Sequence, residues 1–129
     1  MNNALKVGFC ISGQGRLFRA AAQQASALGI QPSLVVVEGK AAADLDAYCH
    51  ERGIRFHRLA NKSRSALDEE LFKVCTEAHL DLLVLTFDKI LPPPLVQHYS
   101  GRIINIHPAL LPASKGMRAM EQTVNSGAR

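Results

Sequence analysis

Short apolar runs and helical spacings alternate along the chain. Residues 5–11, 33–38 and 81–86 are nearly unbroken apolar stretches, and 103–106 is dense in isoleucine. Runs of this length with β-branched content predict strands, and the almost wholly apolar 81–86 predicts a central parallel strand buried on both faces. Ile54-Arg55-Phe56-His57-Arg58-Leu59 alternates instead and predicts a strand with one polar side. Between the strands the period changes. An alanine-rich helix is expected over about 16–28, stopped by Gly29, and a second over 41–52, ended by Gly53. A third opens at 62–64 and runs to about 79, with Leu67, Leu71, Val74 and Cys75 at helical spacing and therefore facing a core. Pro92-Pro93-Pro94 forces a rigid exit before a short helix carrying His98. Beyond residue 112 a loop over 113–116 precedes a last helix over about 117–124. Strand and helix in alternation predict one Rossmann-like α/β domain over residues 1–129, an open and mostly parallel sheet with helices on both faces.

Composition narrows the class. A chain of 129 residues, 47% hydrophobic and 20% charged, is globular and large enough for a core. No apolar run approaches the roughly 18 residues of a membrane span. Lys6 within the first run, and no small-residue cleavage site after it, make that run a strand and not a leader. Cys10, Cys49 and Cys75 are odd in number and widely spaced, which suits buried thiols in a reducing cytoplasm better than disulfides or a metal site. The net charge of +4 comes from scattered Lys and Arg, and aromatic residues are only 5% of the chain. That argues against nucleic acid and for a small anionic partner. His50, His57 and His98 lack partners at metal spacing and read as surface residues.

Two stretches carry candidate chemistry. Ser12-Gly13-Gln14-Gly15 is a tight turn between the first strand and its helix, where backbone N–H groups and a helix start can face an anion. Tight packing alone would also explain the glycines. The full dinucleotide fingerprint is absent, since Phe18 or Arg19 stands at its third glycine, so nicotinamide binding is not expected. In Gly101-Arg102-Ile103-Ile104-Asn105-Ile106-His107-Pro108, Pro108 cannot donate to a ladder and the strand stops near His107. Period-two alternation puts Asn105 and His107 on one side, at the strand end where open α/β sheets bind ligands. A strand merely turning its polar residues to water is the plain alternative.

Residues 103–112, Ile-Ile-Asn-Ile-His-Pro-Ala-Leu-Leu-Pro, closely resemble the signature of the folate-dependent formyltransferases, the glycinamide ribonucleotide transformylases above all. The resemblance implies strand order 3-2-1-4-5 and transfer of a formyl group from 10-formyltetrahydrofolate to an amine, with no metal and no covalent nucleophile. It implies catalytic roles for Asn105 and His107. It places Phe87, Lys89, Ile90 and Leu91 along the pterin pocket, partly through main-chain groups, with Thr86 and Asp88 where the family has glycine and methionine. Arg64 would approach the acidic tail of the folate, or point into solvent. Gly13, Gln14, Gly15 and Arg16 would hold the acceptor's phosphate. Here Arg16-Leu17 replaces the usual Ser-Asn, leaving the acceptor open between glycinamide ribonucleotide, a sugar amine and water. The family's catalytic aspartate lies in a later segment without a counterpart among these residues. The chain thus resembles a transformylase lacking its C-terminal third, either part of a longer enzyme or a short domain that binds without transferring. Self-association is expected from the sheet edge or helix face such a form would leave uncovered.

Overall fold

A computed structural model describes residues 3–39, 43–60 and 63–106. The expected loop and helix beyond residue 112 lie outside them, as does His107. Five strands, β1 (Leu5–Ile11), β2 (Ile30–Glu38), β3 (Arg55–Leu59), β4 (Leu82–Thr86) and β5 (Ile103–Asn105), form one sheet in the order β3-β2-β1-β4-β5. Every pairing is parallel. The helices are α1 (Arg16–Gln23), α2 (Ala25–Leu28), α3 (Leu45–Glu51), α4 (Arg64–Glu77) and α5 (Pro93–His98). The expected order, class and strand count all hold.

Period-two alternation along the central strands divides the core in two. Val7, Phe9 and Ile11 point to one face, with Val35, Val37 and Val84, and pack against Phe18 of α1 and Leu45 and Cys49 of α3. Cys10, Leu34, Val36, Leu83 and Leu85 point to the other, against Leu71, Val74 and Cys75 of α4 and Leu95 of α5. Gly8 also lies on this second face. A Cβ built there would stand 2.3 Å from Leu80 Cδ1 and 3.3 Å from Leu83 Cδ1, so the glycine is what lets Leu80 close over β1.

Three expectations are corrected. The alanine-rich helix is not continuous. Gln24, at φ −110°, separates α1 from α2, and its N–H is shared between the carbonyls of Ala20 and Ala21. That tightened turn ends the first helix one turn before Gly29, whose φ of 70° ends the second. β2 begins at Ile30 instead of residue 33, so Pro32 sits inside a strand. The register shifts there, with Val7 opposite Pro32 but Gly8 opposite Leu34, and β3 pairs only from Leu34 onward. The bulge and the missing neighbour accommodate a residue with no N–H to donate. Finally, His57 is not a plain surface residue. Its Nε2 lies 2.6 Å from Glu70 Oε2, both side chains being mostly covered where α4 crosses β3.

Ser63 caps α4, its hydroxyl accepting from the Ala66 N–H at 3.4 Å, as the expected start at 62–64 requires. Tyr99, after α5, is buried and joins three segments. Its hydroxyl donates to the Cys75 carbonyl at 2.6 Å and accepts from the Leu80 N–H at 3.2 Å. The guanidinium of Arg102 lies over its ring and bonds the carbonyls of Leu80 and His98.

Candidate active site

The carboxyl ends of the strands carry the residues expected to act. β1 runs into the glycine turn with Gly13 at φ 120° and Gly15 at φ 73°, Gly15 standing directly before α1. A side chain at Gly15 would be strained by that φ and would meet Leu45 Cδ2 at 3.3 Å. The turn is fastened by Arg19, one turn into α1. Its Nε donates to the Gln14 carbonyl at 3.2 Å and its Nη2 pairs with Asp44 at 3.1 Å. Arg16 is exposed and makes no ion pair among the described residues.

β4 lies between β1 and β5, and its exit segment is split by burial. Phe87 and Leu91, expected along a pocket partly through main-chain groups, have their side chains buried in the α4–α5 side of the core, at 1% and 7% exposure. The three residues between them face outward, Ile90 at 78%. The apolar side chains thus pin the segment from below and leave Asp88, Lys89 and Ile90 as its presented surface.

That surface forms one wall of a cavity of about 280 Å³. Leu59 at the end of β3 and Arg64, Leu67, Asp68 and Leu71 of α4 form the other. The tertiary structure therefore brings together three of the expected cosubstrate residues, Arg64, Lys89 and Ile90, from parts of the chain 25 residues apart at the nearest (Arg64 to Lys89). The volume is close to the lower end, about 300 Å³, of small-molecule sites. Its charges are largely matched: Arg64 Nε lies 3.7 Å from Asp68 Oδ1, and Lys89 Nζ lies 3.1 Å from Glu38 Oε2. The Asp88 carboxylate has no such partner among the described residues. A wider hollow of about 720 Å³ opens at the amino ends of the strands, lined by Ala22, Ser26, Pro32 and Arg52 among others. It holds none of the expected residues and lies opposite the end where such sheets bind ligands.

Glu38 and Ser12 were missing from the expected set. Ser12 Oγ donates to Glu38 Oε1 at 3.1 Å and accepts from the Asp88 N–H at 3.0 Å, tying the ends of β1, β2 and β4 together. Their position at the carboxyl ends of the first two strands is the signal that could have found them.

Asn105 is the last residue of β5, opposite Leu85 in the register, on the same face as buried Ile103. It does not line the cavity. Its Oδ1 is buried and accepts no hydrogen bond among the described residues. An orphaned buried carbonyl costs about 1–3 kcal/mol, so a polar group so placed needs an explanation from a ligand or a partner side chain. Ile106 continues the ladder for one more bond, its N–H donating to the Leu85 carbonyl at 2.8 Å.

Among the described residues, no group of three or more His, Cys, Asp or Glu is placed to hold a metal ion, and no helix is long and apolar enough to cross a membrane. All three cysteines are free and buried. Cys10 lies against Cys75 between β1 and α4, and the sulfur–sulfur contact together with burial pushes its thiol well above the ordinary range. Burial pushes the Cys49 thiol up to about 11.

Comparison with known proteins gives the family. The chain is 41% identical over 90 residues to phosphoribosylglycinamide formyltransferase of Escherichia coli strain K12, covering 64% of this chain and 42% of that one. It is 31% identical over 132 residues to the trifunctional purine biosynthetic protein adenosine-3 of Gallus gallus, covering 98% of this chain and 13% of the relative. The crystal structure of phosphoribosylglycinamide formyltransferase from Anaplasma phagocytophilum superposes with a TM-score of 0.68 at 35% identity, over 97% of this chain and 60% of the other. The chain thus spans less than two thirds of each. The formyl transferase family model matches residues 5–129, and with the strand order and the segment ending β5 in place, the chain belongs to the formyl transferase family.

Proposed function

We propose that this chain is the N-terminal-type domain of a formyltransferase that moves the formyl group of 10-formyltetrahydrofolate to the amine of glycinamide ribonucleotide, a step of purine synthesis. The observation that carries the reading is the place of Asn105, the residue of the signature segment that ends β5 at the carboxyl edge of the sheet. Family membership and the cavity beside β4 support it.

The amine nitrogen attacks the formyl carbon and the carbonyl oxygen becomes negative. Asn105 donates an amide N–H to that oxygen, and protonated His107 adds a charge-assisted bond. The bond from the formyl carbon to N10 of the folate then breaks, and the proton released by the amine reaches N10. Arg64, Lys89 and Ile90 line the space for the folate, and the main chain of the glycine turn, with Arg16, takes the phosphate of the acceptor. His107 lies outside the described residues, so its role rests on the resemblance.

The test is to incubate the native protein that contains this chain with glycinamide ribonucleotide and 10-formyltetrahydrofolate carrying a labelled formyl group. Label on the acceptor amine is expected, and Asn105→Ala should lower the rate by about 10²- to 10³-fold, the usual loss for one oxyanion donor. Label appearing only as formate would replace amine transfer with hydrolysis. No release of the label and no binding of a folate analogue would overturn the reading.

A further inference from the structure

We propose that Glu38 is a positioning residue, which holds the wall of the cosubstrate cavity in its binding shape before any ligand arrives. The identity of that ligand rests on the folate reading above.

Glu38 ends β2, with its side chain partly covered. Each carboxylate oxygen serves a different segment. Oε1 accepts from Ser12 Oγ at 3.1 Å, and Oε2 lies 3.1 Å from Lys89 Nζ. A carboxylate can only accept, so the single proton of Ser12 is committed to Glu38. The hydroxyl's lone pairs are then left to face the Asp88 N–H at 3.0 Å. The charge on Glu38 therefore sets the direction of the hydrogen bond beyond it, and both branches end on residues that line the cavity, Asp88 and Lys89.

The exit of β4 needs such a hold. Phe87 and Leu91 are anchored in the core, while residues 88–90 are exposed and belong to neither strand nor helix. Two of those three residues are fixed through Glu38. Exposed ion pairs contribute little to stability, typically about 0–1 kcal/mol, so this arrangement is weak as a fold brace. Its consequence is local order: a wall fixed beforehand spares the ligand the cost of ordering it.

The test combines a measurement that needs no ligand with one that does. In the free chain, amide hydrogen exchange at Asp88 should quicken by about 10-fold or more in Glu38→Ala and in Ser12→Ala. Glu38→Gln, whose amide oxygen still accepts from Ser12, should keep most of the protection. Binding of 10-formyl-5,8-dideazafolate should weaken by roughly 10-fold in Glu38→Ala, and less in Glu38→Gln, while the thermal midpoint moves little. Unchanged exchange at Asp88 in both alanine variants overturns the proposal. So does unchanged affinity in Glu38→Ala when the unsubstituted chain binds. Absence of binding by the unsubstituted chain overturns the folate reading alone, because the exchange measurement stands without it.

Discussion

Single residues carry the chemistry here, and their surroundings set what each can do. Asn105 is placed by the end of a ladder, where an unsatisfied amide oxygen is held in position by the strand behind it. Lys89 and Arg64 are cations already matched by Glu38 and Asp68, which fix them at the cavity wall. Cys49 shows the opposite use of burial. With no exposed surface and its thiol raised from the ordinary 9.0 to about 11, it stays protonated in the folded chain while the unfolded thiol ionises. The folded state then holds more protons than the unfolded one between those two values, so stability is full below pH 9 and falls as the pH rises toward 11. Denaturant titration at pH 8, 9, 10 and 11 should show that fall, at most about 1.4 kcal/mol per pH unit from this group, and Cys49→Ala should make it shallower, the rest coming from Cys10, whose thiol is also raised. Iodoacetamide at pH 8 should leave all three cysteines unmodified until the chain is unfolded.

Among the elements, β1 is the axis. It is paired on both sides, by β2 and β4, and covered on both faces. At Gly8 the margin on the α4–α5 face is too small for a methyl group, since Leu80 Cδ1 would lie 2.3 Å from it. Leu80 is itself 2% exposed and has little room to withdraw. Gly8→Ala should therefore destabilise by about 1–3 kcal/mol, seen as a lower midpoint of urea unfolding with an unchanged slope. The Tyr99 hydroxyl is a second such point, tying α4, the entry to β4 and the segment before β5. Tyr99→Phe should cost about 1–3 kcal/mol in the same measurement, since a buried amide at Leu80 loses its acceptor.

At the scale of the whole molecule the sheet order determines which parts open first. Among the described residues β1, β2 and β4 are interior, while β3 and β5 are edges, β5 being only three residues long. Hydrogen exchange under native conditions should find the slowest amides in Cys10, Val36 and Leu85, and markedly faster exchange in β5. Protection of β5 equal to that of β1 would mean that a segment outside the described residues, or a partner, covers its outer edge. Asn105, to which the proposal gives the oxyanion, thus sits on the least secured strand described, and the cavity on the side of β4 away from it.

The sequence by itself determined the class, the alternation of strand and helix and the signature segment, because these rest on local periodicity, β-branched density and the refusal of proline and glycine to continue a regular element. It also marked Arg64, Lys89, Ile90 and Asn105 as residues to watch, through a resemblance longer than any single spacing. It misplaced the start of β2, because Pro32 reads locally as a strand breaker. The bulge and the absent neighbour that tolerate it exist only once β1 and β3 are aligned. It read His57 as surface and left open which side chains of 87–91 turn to the core, because one-dimensional order does not say which side of a segment meets α4 or α5. Only the tertiary structure decided those, along with the meeting of Ser12, Glu38 and Lys89. Those three come from separate strand ends, and parallel pairing alone puts the ends side by side.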